Sequence, residues 1–293
     1  APRHLTYAAL VNASALHAAP AAANLLHAAA LKSLAGAGAG IAVSAHPLPR
    51  THRQDKAVKA VDAFSAAIQI MVAFCFVPAA YAIFVVKERE VKAKHQQIIS
   101  GVSIHAYWVS TFAWDSASYI VPSSITILLI FAFGITSYTT GWGAVMTILL
   151  IVSFGPAAAS LTYCMSFLFD SHSTAQNLTL FFNFLTGLAL MITSFVLDLL
   201  DSTRAANLAL KHVWRLFPPF CLGDGLLQLA LCDGGATCPK LTRGGYSLTE
   251  TLAPYSWDVA GGNLAYLLIE AVAYLAACLA IERLRAIERL RAR

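Results

Sequence analysis

The sequence predicts an all-α polytopic membrane protein, a bundle of five spanning helices, and two observations carry that prediction. Of its 293 residues, 58% are hydrophobic and only 12% charged, with a mean hydropathy of +0.65, whereas a soluble domain carries about 25% charged residues. The scarce charge is also unevenly placed. The runs 63–86, 106–134, 142–169, 177–197 and 263–281 hold almost none of it, and each covers the ~20 apolar residues that the hydrocarbon core requires. One such run fits a buried helix of a large soluble protein; five exclude that reading. The second and third exceed the requirement and leave room for an interfacial elbow or a tilt.

Before the first span, residues 1–60 are Ala-rich, with a Gly36–Gly40 glycine-alanine break and prolines at 47 and 49. The run 10–31 is apolar enough to suggest a sixth span, but Asn12, His17, Pro20, Asn24 and His27 make it a poor lipid-facing helix. A surface helix of an exoplasmic domain is the expectation. Asn12-Ala13-Ser14 is a candidate glycosylation acceptor there. The chain opens at Ala1 without an initiator methionine or a signal peptide, which suggests a crop from a longer one.

Between the first two spans lies the densest charge in the chain: Lys87, Glu88, Arg89, Glu90, Lys92, Lys94 and His95. Glu88/Lys92 and Glu90/Lys94 have the favoured i,i+4 order, so one helix over 87–102 is expected. Val91, His95, Ile98 and Val102 recur at intervals of 4, 3 and 4 and mark an apolar stripe for the membrane half, leaving the charged face for a soluble partner. A solvated loop that only enforces topology fits the same spacing.

Polar groups inside the spans are few. Asp115 is expected in an interfacial elbow, hydrogen-bonded near the headgroups, or on a substrate path. Glu270, flanked by Ile269 and Ala271, is the better candidate for a buried acid. Gln69 and Asn183 are expected to bridge helices, each worth ~1 kcal/mol. Pro78, Pro122 and Pro156 should kink three spans. Cys75, Cys164 and Cys278 read as small packing residues.

Segment 198–262, between the last two spans, is too long for a turn. Residues 206–215 read as a short amphipathic helix. Phe217, Pro218, Phe220, Cys221, Gly223 and Gly225 then break and resume helix, as a re-entrant or interfacial hairpin does where protein covers its backbone. Cys232 and Cys238 are close enough for a small exoplasmic disulfide loop. The first span has four Lys/Arg on each side, so orientation rests on the rest of the chain. Residues 281–293 carry five Arg, and with the 87–102 segment they place the C-terminus in the cytosol.

In order, five stretches resemble the second transmembrane half of the subfamily A ATP-binding-cassette (ABC) transporters, across about residues 7–282. They are Ala45-His46-Pro47-Leu48-Pro49; Phe76-Val77-Pro78-Ala79 with Val86-Lys87-Glu88-Arg89; Lys92-Ala93-Lys94-His95-Gln96 with Ile99-Ser100-Gly101-Val102; Tyr107-Trp108-Val109-Ser110 with Trp114-Asp115; and Phe217-Pro218 with Phe220 to Leu226. Tyr255-Ser256-Trp257-Asp258, Gly262-Asn263-Leu264 and Ile269-Glu270 extend the series. The resemblance implies a type II exporter half: the end of an exoplasmic domain at 1–60, five of six spans within 61–284, a cytosolic coupling helix at 87–102, exoplasmic re-entrant helices within 198–262, and a tail at 285–293 leading toward a nucleotide-binding domain. Pro219 and Asp224 stand where vertebrate members usually have His and Arg.

The sequence has no Gly-x-x-x-x-Gly-Lys-Ser/Thr, and no Gly-Lys dipeptide at all, so it holds no P-loop to cradle nucleotide phosphates. No catalytic or metal-binding spacing is present, and no cofactor is expected in this chain. ATP and Mg would sit on nucleotide-binding domains outside it. Those domains and the other transmembrane half are the implied partners, membrane lipid is the implied substrate, and nucleic acid is not a partner. A non-lipid amphiphile in the same exporter fold, or a channel or scaffold bundle without an ATPase, remain alternatives.

Overall fold

In the computed structural model, residues 18–36, 38–41, 49, 51–200, 202–232, 235–242 and 245–291 are described. Asn12 and residues 45–48 of the first resemblance stretch lie outside them. Helix α1, Ala18–Ala35, belongs to a unit spanning Ala1–Thr51 and buries none of its residues. Everything else forms a second unit, His52–Arg293.

That unit is a helical bundle. Among the described residues, five helical segments are long and apolar enough to cross a membrane: Phe64–Glu90, Ile104–Phe133, Gly141–Ser166, His172–Asp198 and Trp257–Arg285. The first is built from α2 (His52–Phe74) and α3 (Phe76–Glu90), which meet at Cys75. The break follows from Pro78, whose missing N–H cannot bond the Phe74 carbonyl one turn back. Helix α4 (Ala93–Ile99) is short, and α5 (Ile104–Phe133) is long and uninterrupted. Its N-cap Ser103 accepts a bond from the Ala106 N–H, and Gly134 ends it in the left-handed region at φ 64°.

After a single turn, α6 (Thr136–Thr139), comes α7 (Gly141–Ser166), the centre of the bundle: α3, α5 and the final helix all pack on it. The fourth span joins α8 (His172–Asn183) to α9 (Leu190–Leu199) through a π-helical stretch, Phe184–Ala189. Two non-spanning helices follow, α10 (Arg204–Trp214) and α11 (Pro218–Ala230). A disulfide joins Cys232 to Cys238. It leads into a two-stranded antiparallel hairpin of β1 (Cys238–Thr242) and β2 (Gly245–Leu252), a small β element that the helical reading did not include. A π turn, Trp257–Gly261, opens α12, Gly262–Arg291, a helix that runs on through the segment expected to be a tail.

The expected single helix over 87–102 is corrected. Lys92 adopts φ 60° and splits it into the end of α3 and a separate α4. Neither i,i+4 pair forms: Glu88 accepts from the Tyr107 hydroxyl at 2.7 Å, Glu90 meets His172 at 2.7 Å, and Lys94 meets Glu282 at 2.8 Å. Partners on other helices win because a pair worth a few tenths of a kcal/mol on one helix cannot compete with a packed tertiary contact.

Candidate functional site

The polar side chains collect at the two ends of the bundle, where the short helices α4 and α10 sit, and both helices are turned inside out. In α4, Lys94 is buried while Val91, Ile99 and Val102 beside it are exposed. Of the apolar stripe expected to face the bundle, Val91 and Val102 are exposed and only Ile98 is half-buried. In α10, Arg204, Asn207 and Lys211 are buried and Leu208, Leu210 and Val213 are exposed. An apolar face turned outward on a short helix beside a spanning bundle suits lipid or a partner protein rather than bulk water.

At the α4 end, Lys94 reaches into an aromatic corner. Its ammonium lies 4.6 Å from the Tyr107 ring centre and 4.3 Å from that of Trp108, and bonds Glu282 of α12 at 2.8 Å. Burial pulls the Lys94 pKa below the usual lysine range, while the Glu282 contact acts against that shift. Three helices, α4, α5 and α12, thus meet at one cation. Nearby, Arg89 donates to the carbonyls of Ser166 and Phe169, and Arg285 donates to that of Phe167, so both guanidiniums grip the turn that follows α7. Of the sequence candidates here, Lys94, Arg89, Glu88 and Glu90 are engaged with other elements. Lys87, Lys92 and His95 are not brought into these contacts.

Between the ends lie the intramembrane candidates. Asp115 lies about three turns into α5, which runs as one helix from Ile104. It is 5% exposed, takes the Tyr163 hydroxyl of α7 at 2.6 Å, and its main-chain oxygen takes the Tyr81 hydroxyl of α3 at 3.3 Å. Glu270 is 4% exposed, and neither of its carboxylate oxygens has a hydrogen-bond partner among the described residues. Asn183 donates across helices to the Cys75 carbonyl at 3.4 Å, at the α2/α3 break. Gln69 makes no interhelical bond; it folds back on Ser65 at 3.3 Å. The reason is space, since Gln69 lines a groove of about 550 Å³ between α2 and α5, with Asp62, Phe74, Ile130 and Phe133.

At the other end α11 is wedged into the bundle. Its start follows from Pro218 and Pro219, which fit the first turn of a helix where N–H groups have no partner. Pro218, Phe220, Cys221, Gly223 and Gly225 are all fully enclosed, and the helix touches α2, α7, α9 and α12. Phe217 packs on Phe182 with ring centres 5.7 Å apart. Two glycines permit the wedge: a methyl group at Gly225 would come within 2.8 Å of Leu150, and one at Gly223 within 2.9 Å of Met191.

Of the buried charges under this wedge, the sequence singled out Asp224 alone, as a departure from the family pattern; Asp198, Arg204, Lys211 and Arg215 were not. Lys211 bonds Asp198 at 2.8 Å and lies 3.5 Å from Asp224. Asn207 donates to Asp198 at 2.7 Å, and Arg204 wraps the Asp198 main-chain oxygen at 2.9 Å. Asn263 of α12 donates to Asp224 at 2.9 Å and accepts from Arg215 at 2.9 Å. Burial works against both charges of the pair. The two carboxylates nevertheless hold the Lys211 pKa above its ordinary value, and the neighbouring Lys211 and Arg215 hold that of Asp224 below its own. The signal was present: 204, 207, 211 and 215 form a polar stripe at intervals of 3, 4 and 4. In the sequence, 206–215 reads as an amphipathic helix whose polar side is assigned no partner. Among the described residues, no group of three His, Cys, Asp or Glu side chains is placed to hold a metal ion.

The family described as "ABC-2 family transporter protein" matches residues 3–280. Among curated proteins, the chain is 34% identical over 250 residues to the retinal-specific phospholipid-transporting ATPase ABCA4 of Bos taurus, covering 83% of this chain and 11% of that protein. It is 29% identical over 242 residues to ATP-binding cassette sub-family A member 2 of Homo sapiens, covering 80% of this chain and 10% of that one. With the phospholipid-transporting ATPase ABCA7 of Homo sapiens it shares 30% over 238 residues, covering 78% of this chain and 11% of the relative. The chain thus spans only about a tenth of the length of these curated relatives.

Proposed function

The chain belongs to the ABC-2 family of transporter proteins, and we propose that it is the membrane-spanning half of an ATP-driven exporter that moves phospholipid. Nucleotide-binding domains carrying ATP and Mg, and a second transmembrane half, are supplied by other parts of the same polypeptide. The names of two relatives, which call them phospholipid-transporting, support the cargo. In this reading the α4 end and the end of α12 face the cytosol, the disulfide and β-hairpin lie outside where a disulfide persists, and Asn12 is an exoplasmic glycan acceptor.

One observation carries the mechanism. Helix α12 bears Asn263 at one end and Glu282 near the other, about 28 Å apart at 1.5 Å per residue. One stiff rod therefore connects the joint at Lys94 to the charge network under α11. A nucleotide-binding domain gripping α4 would move it about the Lys92 hinge. Lys94 would pass that movement to α12, and Asn263 would pass it to Asp224 and the wedged hairpin. Displacing α11 opens or closes the mouth of the bundle, with Asp115 and Glu270 bordering the path between.

The test is reconstitution of the full-length protein in liposomes with a fluorescent phospholipid. Mg-ATP should accelerate its movement between leaflets, and removing nucleotide should abolish that acceleration. An ATP-independent ion conductance without lipid movement would instead establish a channel. For topology, a cysteine introduced at the exposed Thr251 should react with an impermeant reagent on intact cells, and one at Gln96 only after permeabilisation. The reverse pattern would invert the orientation.

A further inference from the structure

A cavity of about 100 Å³ lies at the α4 end, against the turn after α7 and the end of α12. Four cations line it, Arg89, Lys92, Lys94 and Arg285, against one acid, Glu282. Glu282 is already taken by Lys94 at 2.8 Å. Among the described residues, no carboxylate is in ion-pair contact with Arg89, Lys92 or Arg285.

How the two guanidiniums are held matters more than their number. Arg89 donates through Nη2 to the carbonyls of Ser166 and Phe169, and Arg285 through Nη2 to that of Phe167 at 3.1 Å while lying 4.8 Å from the Phe167 ring centre. Neutral carbonyls fix these groups in place without neutralising their charge. Each guanidinium carries five N–H donors, so donors remain on both beyond those the carbonyls use. Asp170 and Glu282 act on Arg89 only from beyond ion-pair distance, and fixed guanidiniums with spare donors and no ion-paired carboxylate suit a planar or tetrahedral oxyanion. The cavity, about 100 Å³, is large enough for a phosphate group and far too small for a nucleotide or a whole lipid.

The surroundings narrow the source. Phe167 and Ile98 supply an apolar wall, and Leu168 and Ile99 are exposed beside it, so the cavity sits where apolar spans give way to charge. Basic pockets between spanning helices on the cytosolic side hold anionic lipid headgroups. We infer that this cavity is a binding site for the phosphate of an anionic lipid of the cytosolic leaflet, seated between Arg89, Lys92 and Arg285 and distinct from the transported cargo. The inference rests on the cytosolic placement of the α4 end proposed above.

The test uses the full-length protein in phosphatidylcholine nanodiscs without nucleotide, titrated with fluorescent dioctanoyl phosphatidylinositol 4-phosphate. Wild type should bind it saturably, with dioctanoyl phosphatidylcholine failing to compete. Removing each cation should weaken binding about fivefold, so Lys92→Gln with Arg285→Gln should weaken it about 25-fold. Lys92→Gln alone, at an exposed side chain, keeps the test decisive if the double variant does not fold. Equal binding by wild type and variants overturns the site. Displacement by millimolar inorganic phosphate overturns the lipid source and assigns a free anion. No charge-selective binding at all, as expected if an acidic side chain of the nucleotide-binding domain fills the cavity, overturns it too. Because binding is read without ATP, failure here is separable from failure of ATP-driven lipid movement.

Discussion

Two lysines sit in buried corners at opposite ends of this bundle, and their surroundings differ in a way that assigns them different work. Lys211 is enclosed with two carboxylates, Asp198 and Asp224, and the amides of Asn207 and Asn263 complete the network. Lys94 has one carboxylate, Glu282, and two aromatic faces. The first arrangement is cross-braced: a cation shared between acids on α9 and α11 locks three helices together. The second is a single strut next to a break in the helix at Lys92. A strut transmits displacement, and a brace resists it. In the proposed mechanism the Lys94 end is the joint that moves and the α10–α11 end responds as a rigid body.

Replacing each lysine breaks the comparison most sharply. Lys211→Met leaves Asp198 buried without its ion-pair partner and Asp224 with only Arg215 nearby, which costs about 3–5 kcal/mol. Thermal unfolding in detergent should show a large loss, with little folded protein recovered. Lys94→Met removes one charged hydrogen bond, about 1.5–3 kcal/mol, and should lower the midpoint while the protein stays folded. Equal losses would erase the distinction between brace and strut.

The disulfide belongs to the braced end and should act there. Opening the six-residue separation between Cys232 and Cys238 with Cys232→Ser and Cys238→Ser should cost roughly 2 kcal/mol by loop closure. The same midpoint measurement, with and without reductant, checks it; a wild type indifferent to reductant would contradict it.

The smallest effect is the dependence on pH, and here the lysines differ in sign. Lys211 has a raised pKa, so its stabilisation is complete below the unfolded value of about 10.4 and is lost as pH rises through the folded one. Lys94 has a lowered pKa, so the folded state releases its proton first and wild type gains on Lys94→Met as pH rises toward about 10.4. Asp224, with a lowered pKa, withdraws its contribution only as pH falls below about 4. Midpoints of wild type, Lys94→Met and Lys211→Met between pH 8 and 11 should therefore diverge in opposite directions.

Much of this architecture is legible in the residues, and the exceptions share a cause. The spans are read from apolar runs, since burying ~20 residues without charge leaves few other solutions. The α10–α11 break is written in Pro218 and Pro219. What escaped were the inward faces of α4 and α10. Reading amphipathic spacing assumes that polar residues face water, and beside a membrane that assumption inverts. Lys94 reads as part of a charged face for a soluble partner, the polar side of the 206–215 helix is given no buried partner, and Glu282 is not singled out. The break at Lys92 carries no glycine or proline to announce it, and Gln69 gave no sign of the groove that leaves it without a partner on another helix.

The central claim is that α12 carries the nucleotide signal from α4 to the hairpin through Glu282. Spin labels on exposed Leu208 of α10 and exposed Trp142 at the start of α7 would report hairpin movement in the full-length protein by pulsed electron resonance. Trapping wild type with Mg-ATP and vanadate should shift their distance distribution. Glu282→Gln should bind nucleotide with undiminished affinity yet leave the distribution at its nucleotide-free position. A full shift in Glu282→Gln would show that the signal reaches the hairpin by another route.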